Sequence, residues 1–388
     1  MKPYDVIILG AGASGLWCAI RAAGRGKRVA LLDAAPAPGA KVRISGGGRC
    51  NFTNLGARAS DYVCGNPHFV KSALARHPPQ DFLAFLTGSG LGYLEEGGPG
   101  RLFCREGAKA VSLALENAAK SLGVAFFLNA PVAGLAREGD VWRADAGGKA
   151  FYAGKAVVAL GGPAWPQAGA TDMGLRIASS FDLPVRPARP GLVPLTATGP
   201  LLTMCRELTG VSLPVLLRGR GEAAGELLFT HRGVSGPAVL QASLFWRRGD
   251  ELAIDFLPGA DPLEALAAWP RLTVKNALAR ILPKRLAGIL CDGAGLAGSV
   301  AETPKKRLRE LAARISAFPF APSGTEGFKK AETTIGGVDV TGISSKTMEA
   351  KTVPGLYFTG EVLDVAGSLG GFNLQWAWSS GAAAGEDI

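Results

Sequence analysis

The first 33 residues contain the feature that most limits the fold of this 388-residue chain. A strand-like run at residues 4–9, apolar and rich in β-branched residues after Asp5, leads into the glycine-rich sequence GAGASG at 10–15, and a helix-like periodic run follows. A second strand-like run at 28–32, apolar after Arg28, is followed by Asp33. A glycine turn between a strand and a helix brings backbone N–H groups to a pyrophosphate, and an acid ending the second strand accepts hydrogen bonds from ribose. The pattern therefore predicts a dinucleotide-binding unit.

The three glycines of this turn have separate physical roles. Gly10 permits the tight turn, Gly12 lets a pyrophosphate approach the backbone, and Gly15 lets the helix pack closely on the sheet. A second stretch with the same glycine spacing, residues 293–298, lacks this context, because a helix-like pattern precedes it and no strand ending in an acid follows. We interpret it as a loop between helices and expect no separate nicotinamide-binding Rossmann domain.

A loop rich in glycine and hydrogen-bonding residues follows the acid, at residues 39–54. A flexible surface turn has no need of so many polar side chains, whereas consecutive backbone N–H groups can surround a phosphate. The loop is therefore expected to contact the cofactor. Further along, the run at 155–160, which is continuously apolar after Lys155, predicts a central parallel strand, and Gly161-Gly162 after it leave room for the dinucleotide.

The composition is that of a globular protein, with 47% apolar and 19% charged residues. Six scattered cysteines without a CxxC pair favour a reducing compartment, and no apolar run reaches the about 18 residues that a membrane span needs. We therefore expect a cytoplasmic protein without a membrane partner. The net charge is +10, but the dense basic cluster at 305–309 has no interleaved aromatic residues, which favours a solvated helix face over a nucleic-acid site.

Three motifs resemble those of the YhiN/BaiN-like FAD-dependent flavoproteins. They are SGGGRCNFTN at 45–54, LFTHRGVSGP at 228–237, and GEVLD at 360–364 followed by GGFNLQWA at 370–377. This group of the glutathione-reductase-type FAD superfamily includes aminoacetone oxidase-like proteins and reductases of unsaturated bile acids. The chain departs from the family pattern at Asp33, where glutamate is frequent, and at Cys104, where proline is expected. The resemblance implies non-covalent FAD and a redox reaction, with no particular substrate.

The motifs and the resemblance together predict the residues that bind FAD. Gly371-Phe372-Asn373 open the last helix, whose N–H groups are expected near the pyrimidine end of the flavin. Glu361 and Asp364 are candidates for contacts with the ribityl chain or the pyrophosphate, although a helix or turn cap is an equal alternative for Asp364. The predicted cofactor-binding residues are Gly10, Gly12, Ala13, Ser14, Gly15, Asp33, Ala34, Lys41, Ser45, Gly46, Gly47, Arg49, Asn51, Val132, Gly161, Gly162, Gly360, Glu361, Asp364, Gly371, Phe372 and Asn373. No metal site is predicted.

The predicted fold class is α/β, a Rossmann-type FAD-binding domain with an inserted β plus helical second domain. Short alternating runs predict the β part of the insertion, and helical periodicity broken by prolines predicts its helical part. Residues 61–120 are expected to be mainly helical. The predicted segments are 1–189 for the first part of the FAD domain, 190–332 for the insertion (190–258 β, 259–332 helical) and 333–388 for the closing part.

Few side chains are candidates for acid–base catalysis, since the chain has only three histidines. His231, just before a Gly-Pro turn, is the better candidate, and His68 and His77 are interpreted as structural or surface residues. Cys50 lies in the glycine-rich loop next to Arg49, and a neighbouring cation lowers the pKa of a thiol. A packed loop residue is the alternative for Cys50.

Three functional interpretations are open at this point. The first is an FAD-dependent oxidoreductase acting on a small molecule, either an oxidase that uses O₂ or a reductase. The second is a tRNA-modifying flavoenzyme that uses the basic surface. The third is a flavin-binding protein with a regulatory or storage role. Without a second Rossmann unit, NAD(P)H is a candidate only as a transient reductant.

Overall fold

The computed structural model describes residues 4–388. These residues divide into two compact units, the first comprising residues up to Pro190 together with Glu332–Ile388, and the second comprising Gly191–Ala331. Each unit has its own hydrophobic core. The predicted insertion, 190–332, differs from the second unit by one residue at each end. Over the described residues, no helix has both the length and the apolar character needed to cross a membrane.

The strands and helices are numbered in chain order. The strands are β1 (Tyr4–Leu9), β2 (Val29–Leu32), β3 (Asn51–Asn54), β4 (Tyr62–Cys64), β5 (Tyr93–Glu95), β6 (Arg101–Cys104), β7 (Ala125–Phe127), β8 (Val132–Glu138), β9 (Val141–Ala146), β10 (Lys149–Val158), β11 (Val185–Gly191), β12 (Leu195–Thr196), β13 (Ser212–Arg218), β14 (Glu222–Thr230), β15 (Gly233–Ser235), β16 (Leu252–Asp255), β17 (Phe318–Phe320), β18 (Gly324–Thr325), β19 (Thr333–Val338), β20 (Leu356–Phe358) and β21 (Val365–Gly367). The helices are α1 (Ala13–Ala23), α2 (Ala40–Ile44), α3 (Lys71–Arg76), α4 (Pro79–Gly88), α5 (Ala108–Ser121), α6 (Met173–Ser180), α7 (Gly199–Glu207), α8 (Pro237–Ser243), α9 (Pro262–Ala267), α10 (Val274–Leu278), α11 (Lys284–Ala294), α12 (Lys305–Ser316) and α13 (Phe372–Asp387).

The first unit is built on a sheet in which β7, β2, β1, β10 and β20 run parallel. The end of β10 lies between β1 and β20, as the apolar run at 155–160 predicts, and its beginning pairs with antiparallel β9. Strand β2 and the end of β1 are fully buried and apolar, as is typical of parallel strands covered on both faces. This sheet confirms the Rossmann-type α/β fold. Its strands β1, β2, β10 and β20 end at one edge, the edge where doubly wound sheets bind ligands.

Helix α1 packs against α13, the last helix of the chain. The two helices approach closely, because a Cβ placed on Gly381 of α13 would lie 2.5 Å from the carbonyl oxygen of Ser14. On the same helix, the buried Trp378 stacks on Phe82 with ring centroids 3.9 Å apart. This packing fixes the start of α13, at Phe372, relative to the glycine turn that begins α1.

The second unit contains an antiparallel sheet in the order β17-β16-β13-β14-β15-β12-β18, together with helices α7 to α12. Strands β17 and β18 lie within 259–332, so the prediction that this part is helical is wrong for them. Strand β17 is Phe318-Pro319-Phe320, and a proline in so short a run resembles a break in the chain. The strand is at the edge of the sheet, where proline's missing N–H is tolerated, and both phenylalanines are buried.

The prediction that residues 61–120 are mainly helical is wrong in part. Helices α3, α4 and α5 lie there, but so do strands β4, β5 and β6. Strand β6 pairs with β3 from the glycine-rich loop, and β4 pairs with β21 near the C-terminus. Because these strands are stabilised by partners distant in sequence, local periodicity does not reveal them.

Candidate cofactor-binding site

The turn between β1 and α1 has the geometry of an anion-binding site. Gly10 has φ +105°, and a Cβ placed on it would lie 2.4 Å from the carbonyl oxygen of Ala159. A Cβ on Gly15 would lie 1.9 Å from the carbonyl oxygen of Gly10, so the turn and the helix pack without space between them. Around Gly12 there is open space instead, with nothing within 4 Å of a Cβ, and no side chain caps α1. The N–H groups at the start of α1 therefore face a space that a phosphate fits.

Asp33, at the end of β2, is hydrogen-bonded to the glycine turn. The N–H of Ala11 donates to its Oδ2 at 2.6 Å, and the N–H of Ala35 donates to its Oδ1 at 2.7 Å. A carboxylate can accept about four hydrogen bonds, so both oxygens can also accept from a hydroxyl. The N–H of Ala130 donates to the carbonyl of Asp33 at 2.8 Å, which places the segment leading to Val132 beside this strand end.

Lys41 and Glu361 form an ion pair at the same edge of the sheet. The Lys41 Nζ donates to Glu361 Oε2 at 2.7 Å and to the carbonyl of Gly162 at 3.1 Å. The other carboxylate oxygen of Glu361 accepts from the N–H of Thr334 at 3.0 Å and from its hydroxyl at 2.8 Å. Four chain segments thus meet here: α2, the double glycine after β10, the start of β19 and the turn after β20.

Sequence reasoning missed Thr334. The threonine pair 333–334 is followed by a double glycine, 336–337, which resembles the double glycine after β10. That similarity was the available signal. The tertiary structure is needed to show that the Thr334 hydroxyl also accepts from the N–H of Ala164 at 3.2 Å and so lies among the predicted site residues.

In the glycine-rich loop, the polar side chains of Ser45 and Arg49 bind other groups of the protein. Ser45 begins a 3₁₀ turn and donates its hydroxyl to the carbonyl of Val42 at 2.7 Å, while Gly46 and Gly47 are exposed. The guanidinium of Arg49 is paired with Glu96, with Nη1 2.7 Å from Oε2. Cysteine 50 follows it in the left-handed region, with φ +55°.

Asn51 and Asn373 hold the start of α13. In the orientation that satisfies both ends of its amide, Asn51 accepts from the N–H of Gly371 at 3.2 Å. Asn373 accepts from the N–H of Gly367 at 2.8 Å and donates to the carbonyl of Gly367 at 3.0 Å. No side chain caps the first turn of α13, which begins at Phe372. Its N–H groups and the positive end of its dipole are thus available to an electron-rich group.

Asp364 has a different set of partners. Its buried carboxylate lies 3.2 Å from Arg186 Nε, and Arg186 also pairs with Asp339 at 2.9 Å. Burial raises the pKa of Asp364, and the Arg186 guanidinium opposes that shift. These contacts favour the structural alternative for Asp364 over a contact with the cofactor.

The two catalytic candidates have contrasting environments. Cys50 is fully buried, and burial raises the pKa of its thiol to about 12. A thiol in this state is a poor nucleophile at neutral pH, which favours the alternative of a packed loop residue. His231 is exposed in the turn between β14 and β15 of the second unit, and its catalytic role stays a prediction.

The second glycine-rich stretch, 293–298, begins within the last turn of α11 and is a loop between helices only from Gly295 onward. Gly293 lies inside α11, and Gly295 ends that helix in the left-handed conformation with φ +60°. The next regular element is α12, with no strand leading into the stretch. This geometry differs from the strand–turn–helix arrangement at Gly10, Gly12 and Gly15.

The hydrogen-bonding groups of the first unit fit a dinucleotide that carries a flavin. The starts of α1 and α13 have no side-chain cap, and Trp376 of α13 donates to the carbonyl of Gly360 in the turn after β20. A carboxylate at the end of β2 suits a ribose, and open space at Gly12 suits a pyrophosphate. The residues present therefore fit FAD.

Comparisons with known proteins agree with this geometry. The profile of the family described as HI0933-like protein Rossmann domain matches residues 4–387. Proteins described as ribosomal RNA dihydrouridine synthase are 42% identical to this chain, one from Escherichia coli (strain K12) covering 100% of the chain and 98% of the relative, and one from Haemophilus influenzae covering 99% and 98%. The 3-dehydro-bile acid delta(4,6)-reductase of Clostridium scindens is 31% identical and covers 97% of each.

A solved structure supports the fold. The 3-ketosteroid delta1-dehydrogenase from Sterolibacterium denitrificans aligns over 100% of this chain and 99% of its own, with a TM-score of 0.55 and 15% identity.

Proposed function

Because the chain belongs to the HI0933-like Rossmann-domain family, we propose that it is an FAD-dependent reductase that converts uridine in ribosomal RNA to dihydrouridine. The chain is a flavoenzyme of the FAD-dependent oxidoreductase class, as its resemblance to the YhiN/BaiN-like flavoproteins predicts. The RNA substrate is the proposal. The observation that carries it is the 42% identity, over essentially the whole chain, with two ribosomal RNA dihydrouridine synthases.

One chemistry accounts for both kinds of relative. In uracil the C5–C6 double bond is conjugated to the C4 carbonyl, and in a 3-oxo steroid with 4,6 unsaturation the double bonds are conjugated to the ketone. Reduction adds a hydride equivalent to the carbon distant from the carbonyl and a proton to the carbon next to it. When bound and reduced, FAD supplies the two electrons and the hydrogen of the hydride equivalent. Reduction of an activated double bond is therefore the reaction class that we propose.

Residues of the first unit would bind and orient the cofactor for this reaction. The start of α1 at Gly12 would hold the pyrophosphate, and Asp33 would hold the adenosine ribose. Glu361, fixed by Lys41 and Thr334, would face the ribityl chain. The first turn of α13 would stabilise negative charge on the reduced flavin, because the helix dipole is positive there.

The charge of the chain supports an RNA substrate over a bile-acid-like one. The net charge is +10 and the pI is about 9.4, which favours association with a polyanion. This proposal develops the second interpretation of the sequence analysis, with ribosomal RNA in place of tRNA. It departs from the expectation that the substrate is a small molecule and that nucleic acid is disfavoured. NAD(P)H as the transient electron donor is a further part of the proposal.

The test uses the FAD-loaded protein and unmodified ribosomal RNA transcribed in vitro. After incubation with NADPH under anaerobic conditions, nuclease digestion and mass spectrometry should reveal a uridine that has gained two hydrogen atoms. Matched reactions with free FAD in place of the protein, and with the protein but no reductant, should give none. If the RNA stays unmodified while a conjugated steroid enone reoxidises the reduced enzyme, the small-molecule interpretation replaces this one.

A further inference from the structure

Most of the excess positive charge of the chain is concentrated in one helical part of the second unit. Residues 271–314 contain ten lysines and arginines and three acidic residues, a net charge of +7 out of +10 for the whole chain. All ten basic side chains are exposed. They lie on or beside α10, α11 and α12, and α11 packs against both of the other helices. We call this surface, formed by the basic residues of 271–314, the basic face.

Little of this charge is neutralised within the protein. Lys275 lies 3.7 Å from Asp292, whereas Lys284, Lys305, Lys306 and Arg309 have no acidic partner within 4 Å among residues 4–388. Other members of the basic face bind uncharged groups. Arg285 donates to the carbonyls of Glu207 and Thr209 at 3.0 and 3.1 Å, and Arg307 donates to the carbonyls of Ala294 and Gly295. The hydrogen bonds to carbonyl groups fix these two arginine side chains without neutralising their positive charge.

An aromatic side chain just before residue 271 contacts the basic face in the folded protein. Trp269 is 41% exposed, and the Arg280 guanidinium carbon lies 5.3 Å from its ring centroid. The N–H of Ala301 donates to the carbonyl of Pro270 at 3.0 Å, so the residue after Trp269 lies beside the segment that leads into α12. An open cleft of about 330 Å³ next to Arg280 is lined by Leu272, Asn276, Ala279, Arg280 and Lys284.

We propose that the basic face binds the phosphate backbone of structured RNA and that Trp269 stacks on an unpaired base. This inference rests on the proposed function and names the part of the protein that holds the RNA. Exposed lysines and arginines without acidic partners attract phosphates, because binding releases the counterions condensed on the RNA. An exposed indole beside a guanidinium provides a flat surface for stacking without selecting a sequence. The charge and the ring together fit RNA better than they fit an acidic protein.

The test compares two triple variants with the same change in net charge. The first is Lys305→Gln, Lys306→Gln and Arg309→Gln on the basic face. The control is Lys71→Gln, Lys109→Gln and Lys149→Gln, three exposed lysines of the first unit that, within the described residues, have no ion pair. None of the six residues belongs to the predicted cofactor site. The measurement is the dissociation constant for an in vitro transcribed ribosomal RNA fragment as a function of salt, with FAD-loaded protein.

The basic-face variant should bind the RNA at least about tenfold more weakly, with a smaller salt dependence. Each lost phosphate contact should reduce the slope of log affinity against log salt by about 0.7 to 0.9. Trp269→Ala should weaken binding about tenfold without changing that slope, and Trp269→Phe should restore most of it, because stacking depends on the ring. Equal losses in both triple variants would show a non-specific charge effect and overturn the proposal. The proposal would also be overturned if the basic-face variant bound RNA as the unsubstituted protein does but no longer bound vesicles containing phosphatidylserine.

Two readouts separate this inference from the proposed function. If dihydrouridine forms and the basic-face variant binds and reduces ribosomal RNA like the unsubstituted protein, the basic face is not the RNA site and the function stands. If the RNA binds as predicted but no uridine is reduced, the basic face is still the RNA-binding surface, and the proposed reaction is wrong. Reduction of uridine monophosphate, which has no polynucleotide backbone for the basic face to bind, should be equal in all variants.

Discussion

The Nζ of Lys41 lies 2.7 Å from Oε2 of Glu361, in an ion pair between residues that are 320 positions apart in the chain. The pair joins α2, the helix that follows Asp33, to the turn after β20, the last parallel strand. It is partly shielded from water, since the two side chains are 31% and 21% exposed. Thr334 holds the second oxygen of Glu361, so the carboxylate has a fixed orientation. The pair therefore connects the first and closing segments of the FAD unit at the proposed site.

Replacing Lys41 with Met should destabilise the protein by about 1 kcal/mol, because a partly shielded pair contributes more than a fully exposed one but still competes with water. FAD should also be released at lower temperature. Flavin fluorescence during thermal unfolding measures both effects. In a double-mutant cycle with Glu361→Gln, the effects of the two substitutions should not add. Additive effects would mean that the ion pair contributes nothing to holding the site together.

Replacing Asp33 with Ala should weaken FAD binding by about ten- to a hundredfold, because a charge-assisted hydrogen bond contributes about 1.5 to 3 kcal/mol. The variant also loses the acceptor for the N–H of Ala11 and so loosens the glycine turn. Asp33→Asn, which keeps one acceptor oxygen, should have an intermediate effect. Titration of the apoprotein with FAD gives the dissociation constants. An affinity equal to that of the unsubstituted protein in both variants would show that this acid does not bind the ribose.

Cys50 should be dispensable for catalysis. Because burial raises the pKa of its thiol to about 12, it is protonated at pH 7 to 8 and does not react readily. Iodoacetamide at pH 8 should therefore leave Cys50 unmodified in the folded, FAD-loaded protein, as seen by peptide mass spectrometry. Cys50→Ala should keep the rate of uridine reduction. Rapid alkylation of Cys50, together with loss of activity in the alanine variant, would restore it as a catalytic candidate.

Gly295→Ala should leave FAD content and NAD(P)H-dependent flavin reduction unchanged. Its only expected cost is about 1 kcal/mol of stability, since Gly295 has φ +60° at the end of α11. A methyl group in a true dinucleotide turn would collide with the pyrophosphate. Stopped-flow absorbance of the flavin band measures the reduction, which we expect to be slow or weakly saturable with NADPH. Fast reduction at micromolar NADPH that is abolished by Gly295→Ala would instead establish a dedicated nicotinamide site.

The sequence by itself determined the Rossmann unit of this protein. The glycines at 10, 12 and 15 and the apolar strands before and after them have physical roles that few other residues can fill, so their order is informative without a structure. The same reasoning separated residues 293–298 from a nucleotide site, because the missing strand and acid are local features. The apolar run at 155–160 likewise predicted the central strand correctly.

Only the tertiary structure decided which polar side chains meet. Thr334 contacts Glu361 because β19 returns beside the double glycine after β10, and no local pattern encodes a contact between such distant segments. Burial decided the state of Cys50, whose sequence neighbour Arg49 points instead to Glu96. Trp269 contacts the basic face through the Arg280 guanidinium, 11 positions along the chain, although no aromatic residue interrupts the basic cluster at 305–309. Local patterns specify the elements and their order, but hydrogen bonds, burial and charge pairing depend on distances between segments that the chain brings together only when it folds.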